Sequence, residues 1–239
     1  MRVAVVTGAA GGLGQAISSR LMADNCFVIG LDINSAGFEP LVCDQFEGMV
    51  CDLTEPQAIA ACFDAVAAKH GGLDVLVNNA GTCLMSEFPD IPADEFSKQM
   101  DINFGSAFHC AQAAIKLMSG REGVRKIINI SSNGAYNFDV FDPPHYRASK
   151  AAMDTLTKDL ARRYARDKIC VNSIAPAMTE TPLFGVVSEE VLEKALAQMP
   201  HGAAMQPSQI ADWVGFLASA AGDVCSGNVI ILNQGRDVR

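Results

Sequence analysis

The sequence predicts a doubly wound α/β fold, a seven-stranded parallel sheet with helices on both faces. Three observations lead there. Seven short apolar runs alternate with longer stretches of helical period, the pattern of successive βαβ units. Several runs are apolar at nearly every position, as strands are when both sheet faces are covered. The first run passes straight into the turn Thr7-Gly-Ala-Ala-Gly-Gly-Leu-Gly14, which opens a helix.

The first strand is read at residues 3–6 and its helix at 13–23. The second strand covers 27–31. A short third strand, 49–51, ends at Asp52. Thr54 has the residue type of an N-cap, and with Glu55-Pro56 in the first turn it predicts a helix running to about Lys69. The fourth strand is 73–77. Residues 93–119 read as two helical segments broken near Asn103-Phe-Gly105. A strand at 126–130, a helix at 145–165 and a strand at 169–174 follow. Helices at 188–198 and 207–220 and a strand at 229–232 complete the chain. Segment 34–48 lacks a clear helical period, so the helix expected there is small or absent. No repeat, linker or low-complexity tract divides residues 1–239, so a single domain is expected.

Composition narrows the function. The chain has 239 residues, 49% of them hydrophobic, enough for one large core. A net charge of −9 argues against nucleic acid or an anionic membrane as partner. No apolar stretch approaches the ~18 residues of a membrane span. The first strand begins almost at once and leaves no room for a leader, so a cytoplasmic protein is expected. The eight cysteines form no C-x-x-C pair and are expected to be reduced thiols. The four histidines have no ligand-like spacing, and no metal is expected.

The glycine turn carries the first chemistry. Gly8, Gly12 and Gly14, with Leu13 among them, let the backbone turn sharply and bring helix-start N–H groups against a dinucleotide pyrophosphate. Asp32 stands at the end of the second strand, 18 residues after Gly14. A carboxylate there accepts hydrogen bonds from ribose hydroxyls and repels a 2′-phosphate. No Arg or Lys lies in 7–19 or 32–48 to offset it, so NAD is expected rather than NADP. Asp52 and Leu53 are placed to meet the adenine, the alternative being that Asp52 caps the next helix. Asn79, Ala80 and Gly81 follow the fourth strand, where small residues let backbone pass close to the cofactor.

Tyr146-Arg-Ala-Ser-Lys150 carries the second. The spacing puts phenol and ammonium on one helix face. The ammonium, with a nicotinamide cation, favours the phenolate. Tyr146 would then take an alcohol proton as hydride leaves, while Lys150 also binds the cofactor ribose.

Here the chain resembles the short-chain dehydrogenase/reductase family over essentially all of its length. Thr7-Gly8-x-x-x-Gly12-x-Gly14, Asn78-Asn79-Ala80-Gly81 and Tyr146-x-x-x-Lys150 carry the resemblance. It implies the Rossmann form of the predicted fold and a four-part site. In that site Asn103 holds a relay water, Ser132 bonds the substrate oxygen, and Tyr146 and Lys150 complete the set. Pro176, Thr179 and Thr181 would contact the nicotinamide end. The chain departs from the pattern in three places. The Ser132 to Tyr146 spacing of 14 is one longer, leaving Ser131 as an alternative. Ala177 follows Pro176 in place of glycine, and Asn233-Gln-Gly235 replaces Asp-Gly-Gly.

Phe138, Val140 and Phe141, with Asp139 and Asp142 interleaved, are expected to wall the substrate pocket. So are Met178, Leu183, Phe184, Val186 and Val187, in a lid spanning about 178–205. With no Arg or Lys in 177–193, and Arg147 the nearest cation, a neutral alcohol, sugar or ketone is expected. His145 is read as an exposed loop residue, and Cys83 and Met85 as packing residues. The expected activity is interconversion of a secondary alcohol and its ketone. The alternatives are reduction of 3-oxoacyl thioesters and a non-catalytic dinucleotide-binding regulator. Helix 104–118 carries Ala107, Ala111 and Ala114, and helix 147–164 carries Ala148, Ala151, Ala152 and Thr155. The resemblance implies that these helices pair between subunits of a homotetramer, or a homodimer. The alternative is that the alanines face the sheet.

Overall fold

The computed structural model describes residues 1–137, 142–181 and 189–237. In chain order the elements are β1 (Arg2–Thr7), α1 (Gly12–Ala23), β2 (Cys26–Asp32), β3 (Phe46–Val50), α2 (Pro56–His70) and β4 (Val75–Asn78). Then come α3 (Ala93–Met100), α4 (Ser106–Met118), β5 (Arg125–Ile130), α5 (Pro144–Arg163), β6 (Ile169–Pro176), α6 (Glu189–Ala197), α7 (Pro207–Ala218) and β7 (Val229–Leu232). The seven strands form one sheet in the order β3-β2-β1-β4-β5-β6-β7, with every paired neighbour parallel. The order reverses between β1 and β4. That switch point opens a crevice at the carboxyl edge, where such sheets bind ligands.

Strand alternation sends side chains to two cores. Val3 and Val5 of β1 join Ile59, Phe63, Cys110 and Met118 beneath α2 and α4. Ala4 and Val6 join Ile17, Leu21, Ile210 and Val214 beneath α1 and α7. Among the described residues no helix is long and apolar enough to cross a membrane.

Four local expectations need correction. The third strand runs Phe46–Val50 rather than 49–51, since Glu47 and Gly48 interrupt the apolar run of an edge strand that pairs with β2 from Val28 to Asp32. Thr54 does not cap α2. Its N–H (2.9 Å) and hydroxyl (2.7 Å) both donate to Asp52 Oδ1, leaving Glu55 in the cap position ahead of Pro56. The break near Asn103 is instead a π-helical turn, Asp101–Gly105, that joins α3 to α4 without interruption. His145 lies in the first turn of α5 at 3% exposure, its Nε2 3.3 Å from Glu95 Oε1, because α3 packs over α5. Ala107, Ala111 and Ala114 of α4 are buried, Ala111 and Ala114 within the first core. On α5, Ala148, Ala151 and Thr155 are exposed and Ala152 is half-buried.

Candidate active site

The glycine turn is built as its residues require. Gly8 has a left-handed φ of 64°, and a Cβ there would stand 2.9 Å from Ala80 Cα. A Cβ on Gly14 would stand 2.0 Å from the Gly8 carbonyl oxygen, so α1 closes on the turn only with glycine at that position. Thr7 ties this turn to the loop after β4. Its Oγ1 accepts the N–H groups of Asn79 (2.9 Å) and Ala80 (3.0 Å). The Asn79 amide donates back to the Thr7 and Gly8 carbonyls.

This cradle fits a dinucleotide. No side chain caps the N-terminus of α1 and no acidic residue occupies its first turn, so its N–H groups and dipole face the crevice unopposed by side chains. Asp32 braces the turn by accepting from the N–H of Ala10 (3.0 Å) and of Asn34 (2.9 Å).

One cavity of about 500 Å³ runs along the carboxyl edge. Gly8, Gly12, Leu13, Gly14 and Asp32 line one end, Asn79, Ala80 and Gly81 the middle, and Ser132, Tyr146, Lys150, Pro176, Thr179 and Thr181 the other. Asp52, Leu53 and Asn103 lie outside its wall. Asp52 is exposed, its carboxyl held below the usual range by the Thr54 hydroxyl and N–H, and Leu53 packs on the first core.

At the Ser132 end, Lys150 Nζ donates to the Ile130 carbonyl at 2.9 Å and sits 5.9 Å from the centroid of the Tyr146 ring. Burial pulls the Lys150 ammonium down to about 8, opposed by Asp154 and Cys83. Burial pushes the Tyr146 phenol well above its ordinary value; Asp142 adds to the rise and the Ser132 hydroxyl opposes it. Desolvation thus favours the neutral phenol at Tyr146. Ser132 accepts the Gly134 N–H at 3.0 Å while facing Tyr146. Ser131 turns its hydroxyl to the Lys150 carbonyl (3.3 Å), so Ser132 fits the substrate-binding role better.

A neutral phenol, a hydroxyl and an ammonium around one opening can protonate a carbonyl oxygen, or deprotonate an alcohol once positive charge arrives. The family model described as Enoyl-(Acyl carrier protein) reductase matches residues 8–237. The chain belongs to the short-chain dehydrogenase/reductase family. Members are oxidoreductases that bind a nicotinamide dinucleotide. A 3-oxoacyl-(acyl-carrier-protein) reductase of Vibrio cholerae is 33% identical over 98% of this chain and 96% of its own. A 3alpha-hydroxysteroid dehydrogenase of Mediterraneibacter gnavus is 31% identical over 96% and 94%. Among solved structures, actinorhodin polyketide ketoreductase with NADPH superposes with a TM-score of 0.91 at 28% identity, covering 98% of this chain and 97% of its own.

Within this family plan, the Asn103 side chain is fully engaged. Its Oδ1 accepts the Thr82 N–H (2.8 Å), and its Nδ2 donates to Thr82 O (2.9 Å) and Ser149 Oγ (3.1 Å). It clamps the segment after Gly81. Ala177 keeps a φ open to any L residue and bonds the Leu232 carbonyl at 2.8 Å. Gln234, standing where the family pattern has glycine, keeps a left-handed φ of 58°. Its side chain offsets that strain by joining His201 N and Ala203 O, each at 3.1 Å.

Among the lining groups that sequence reasoning did not single out are Asn133, Asn137 and Arg236. The Asn133 and Asn137 amides both donate to Asp237 Oδ2 at 3.0 Å, and Arg236 Nη2 donates to Gln198 at 2.6 Å. The cavity therefore borders a second cation besides Lys150. The signal was topological: residues after β7 emerge at the same carboxyl edge. Cys83 and Met85, read as packing residues, also border the cavity, as does Met178. Phe138, Asp139, Val140, Phe141, Leu183, Phe184, Val186 and Val187 lie outside the described residues.

Proposed function

We propose that the protein is an NAD-dependent oxidoreductase that interconverts a secondary alcohol and its ketone. The observation that carries this reading is the placement of Ser132, Tyr146 and Lys150 at one end of the cavity whose other end is the Gly8–Gly14 cradle and Asp32. When bound, the nicotinamide supplies the hydride acceptor or donor. Ser132 holds the substrate oxygen. Tyr146 delivers the proton to that oxygen in reduction and accepts it in oxidation. Lys150 fixes the ribose and adds positive charge beside Tyr146. Asp32 accepts from the ribose hydroxyls and repels a 2′-phosphate. Assembly as a homotetramer through α4 and α5 and a cytoplasmic site of action belong to the same proposal.

Reduction of 3-oxoacyl thioesters is the second reading. It is favoured by the Vibrio cholerae relative and by an acetoacetyl-CoA reductase of Acinetobacter at 32% identity. The test follows nicotinamide absorbance with NAD(H) and NADP(H) over secondary alcohols, polyols, sugars, hydroxy acids and acetoacetyl-CoA. Tyr146→Phe should lower turnover by about 10²–10⁴-fold and leave NADH binding intact. Turnover confined to the thioester would favour the second reading. Full activity in Tyr146→Phe would remove both.

A further inference from the structure

Asp154 is a buried acid that none of these steps uses. It lies on α5 at the fourth position after Lys150 and the eighth after Tyr146, so the three residues follow one helical face. It is 3% exposed, and no described donor meets either carboxylate oxygen in full hydrogen-bond geometry. A carboxylate so placed is costly unless its charge is answered. Burial raises the Asp154 carboxyl above its ordinary value, and the hydroxyls of Ser173, Tyr136 and Ser131 and the charge of Lys150 oppose that rise.

These hydroxyls belong to a longer buried chain. Ser173 Oγ shares a 2.7 Å bond with Thr157, Thr157 accepts from Asn129 at 2.7 Å, and Asn129 accepts from Asn78 at 2.8 Å. Asn78, Asn129, Thr157 and Ser173 are each at most 2% exposed. The chain fixes the groups around Asp154, and low polarity strengthens each interaction.

We propose that Asp154 is a positioning residue: it supplies the buried counter-charge that holds the Lys150 ammonium on the Ile130 carbonyl, beneath Tyr146. Asp154 is the strongest influence opposing the desolvation of Lys150, and Cys83, from the segment after β4, is the second. The other titratable groups nearby act elsewhere. Asp142 acts on Tyr146 and Cys83, Tyr136 acts on Asp154, and Glu95 of α3 faces His145. β5 and β6 present neutral Asn129 and Ser173.

The direct test is a side-chain NMR titration of Lys150 in the full-length protein, its signal assigned by loss in Lys150→Arg. Asp154→Asn keeps the shape and removes the charge. Its Lys150 midpoint should fall by about one pH unit or more. Ser173→Ala, which removes one hydroxyl from the carboxylate, should lower the midpoint by a smaller step and decides the matter if Asp154→Asn does not fold. In kinetics, the pH at which kcat declines on the alkaline side should move with the midpoint, with substrate KM unchanged. A folded Asp154→Asn protein with an unmoved midpoint, whatever its melting temperature, overturns the proposal. So does an unmoved midpoint in Ser173→Ala. The kinetic limb rests on the oxidoreductase reading. Absence of turnover in every variant would count against that reading, while the NMR midpoint still judges Asp154.

Discussion

Thr7→Val offers a sharp test of how the cradle is held. Valine matches threonine in shape but cannot accept a hydrogen bond. In the native protein Thr7 is 1% exposed, and its Oγ1 accepts two backbone N–H groups, those of Asn79 at 2.9 Å and Ala80 at 3.0 Å. An orphaned buried donor costs about 1–3 kcal/mol. Asn79 and Ala80 are half-buried, so water recovers part of that, and the pair should cost about 2–3 kcal/mol. For a chain of this length that is a fall in Tm of roughly 5–10 °C. Thr7→Ser keeps the acceptor and loses one methyl, about 1 kcal/mol. NADH titration by fluorescence should show affinity at least tenfold weaker in the valine variant and near native in the serine variant. If valine and serine melt together and bind NADH equally, the Thr7 strap does not organise the cradle.

Asp32→Asn should narrow the preference for NAD⁺ over NADP⁺ by about tenfold or more, measured as two dissociation constants by calorimetry, because the repulsion of a 2′-phosphate is lost. Lys150→Met should change how stability depends on pH. The native Lys150 pKa is depressed from 10.5 to about 8, so its desolvation penalty is full below pH 8 and is relieved as the pH climbs toward 10. Native stability relative to Lys150→Met should therefore rise by roughly 2–3 kcal/mol between pH 8 and 10, and a flat difference would contradict burial as the cause. In native-state alkylation at pH 7.5, mass spectrometry should find exposed Cys43 modified first. Cys83 should be spared although it borders the cavity, because burial pushes its thiol up to about 12.

The sequence speaks most clearly where backbone geometry admits one residue type. Gly8 and Gly14 are legible because any Cβ collides there, and Asp32 because the end of β2 places it beside the turn. Local reading falters where distant segments decide. His145 is polar beside a proline pair and reads as exposed, yet Glu95 of α3 and the packing of α3 over α5 bury it. The π-helical turn reads as a break, since Asn103 and Gly105 are weak helix formers and the extra residue shifts the period. Thr54 has the right type for a cap, but its hydroxyl is drawn back to Asp52. Arg236 lies in a tail without periodicity, and only the sheet topology shows which edge it reaches.

Asp237, the last described residue, is joined to Asn133 and Asn137, one and five residues beyond Ser132. The tail thus fastens the loop that follows Ser132. An affinity tag joined beyond Asp237 would load the segment that holds Asn133 and Asn137. Met1, 69% exposed at the start of β1, lies at the opposite edge of the sheet. Tagging at that end leaves the serine loop and its fastening as the native chain arranges them, which makes it the choice for every kinetic comparison proposed above.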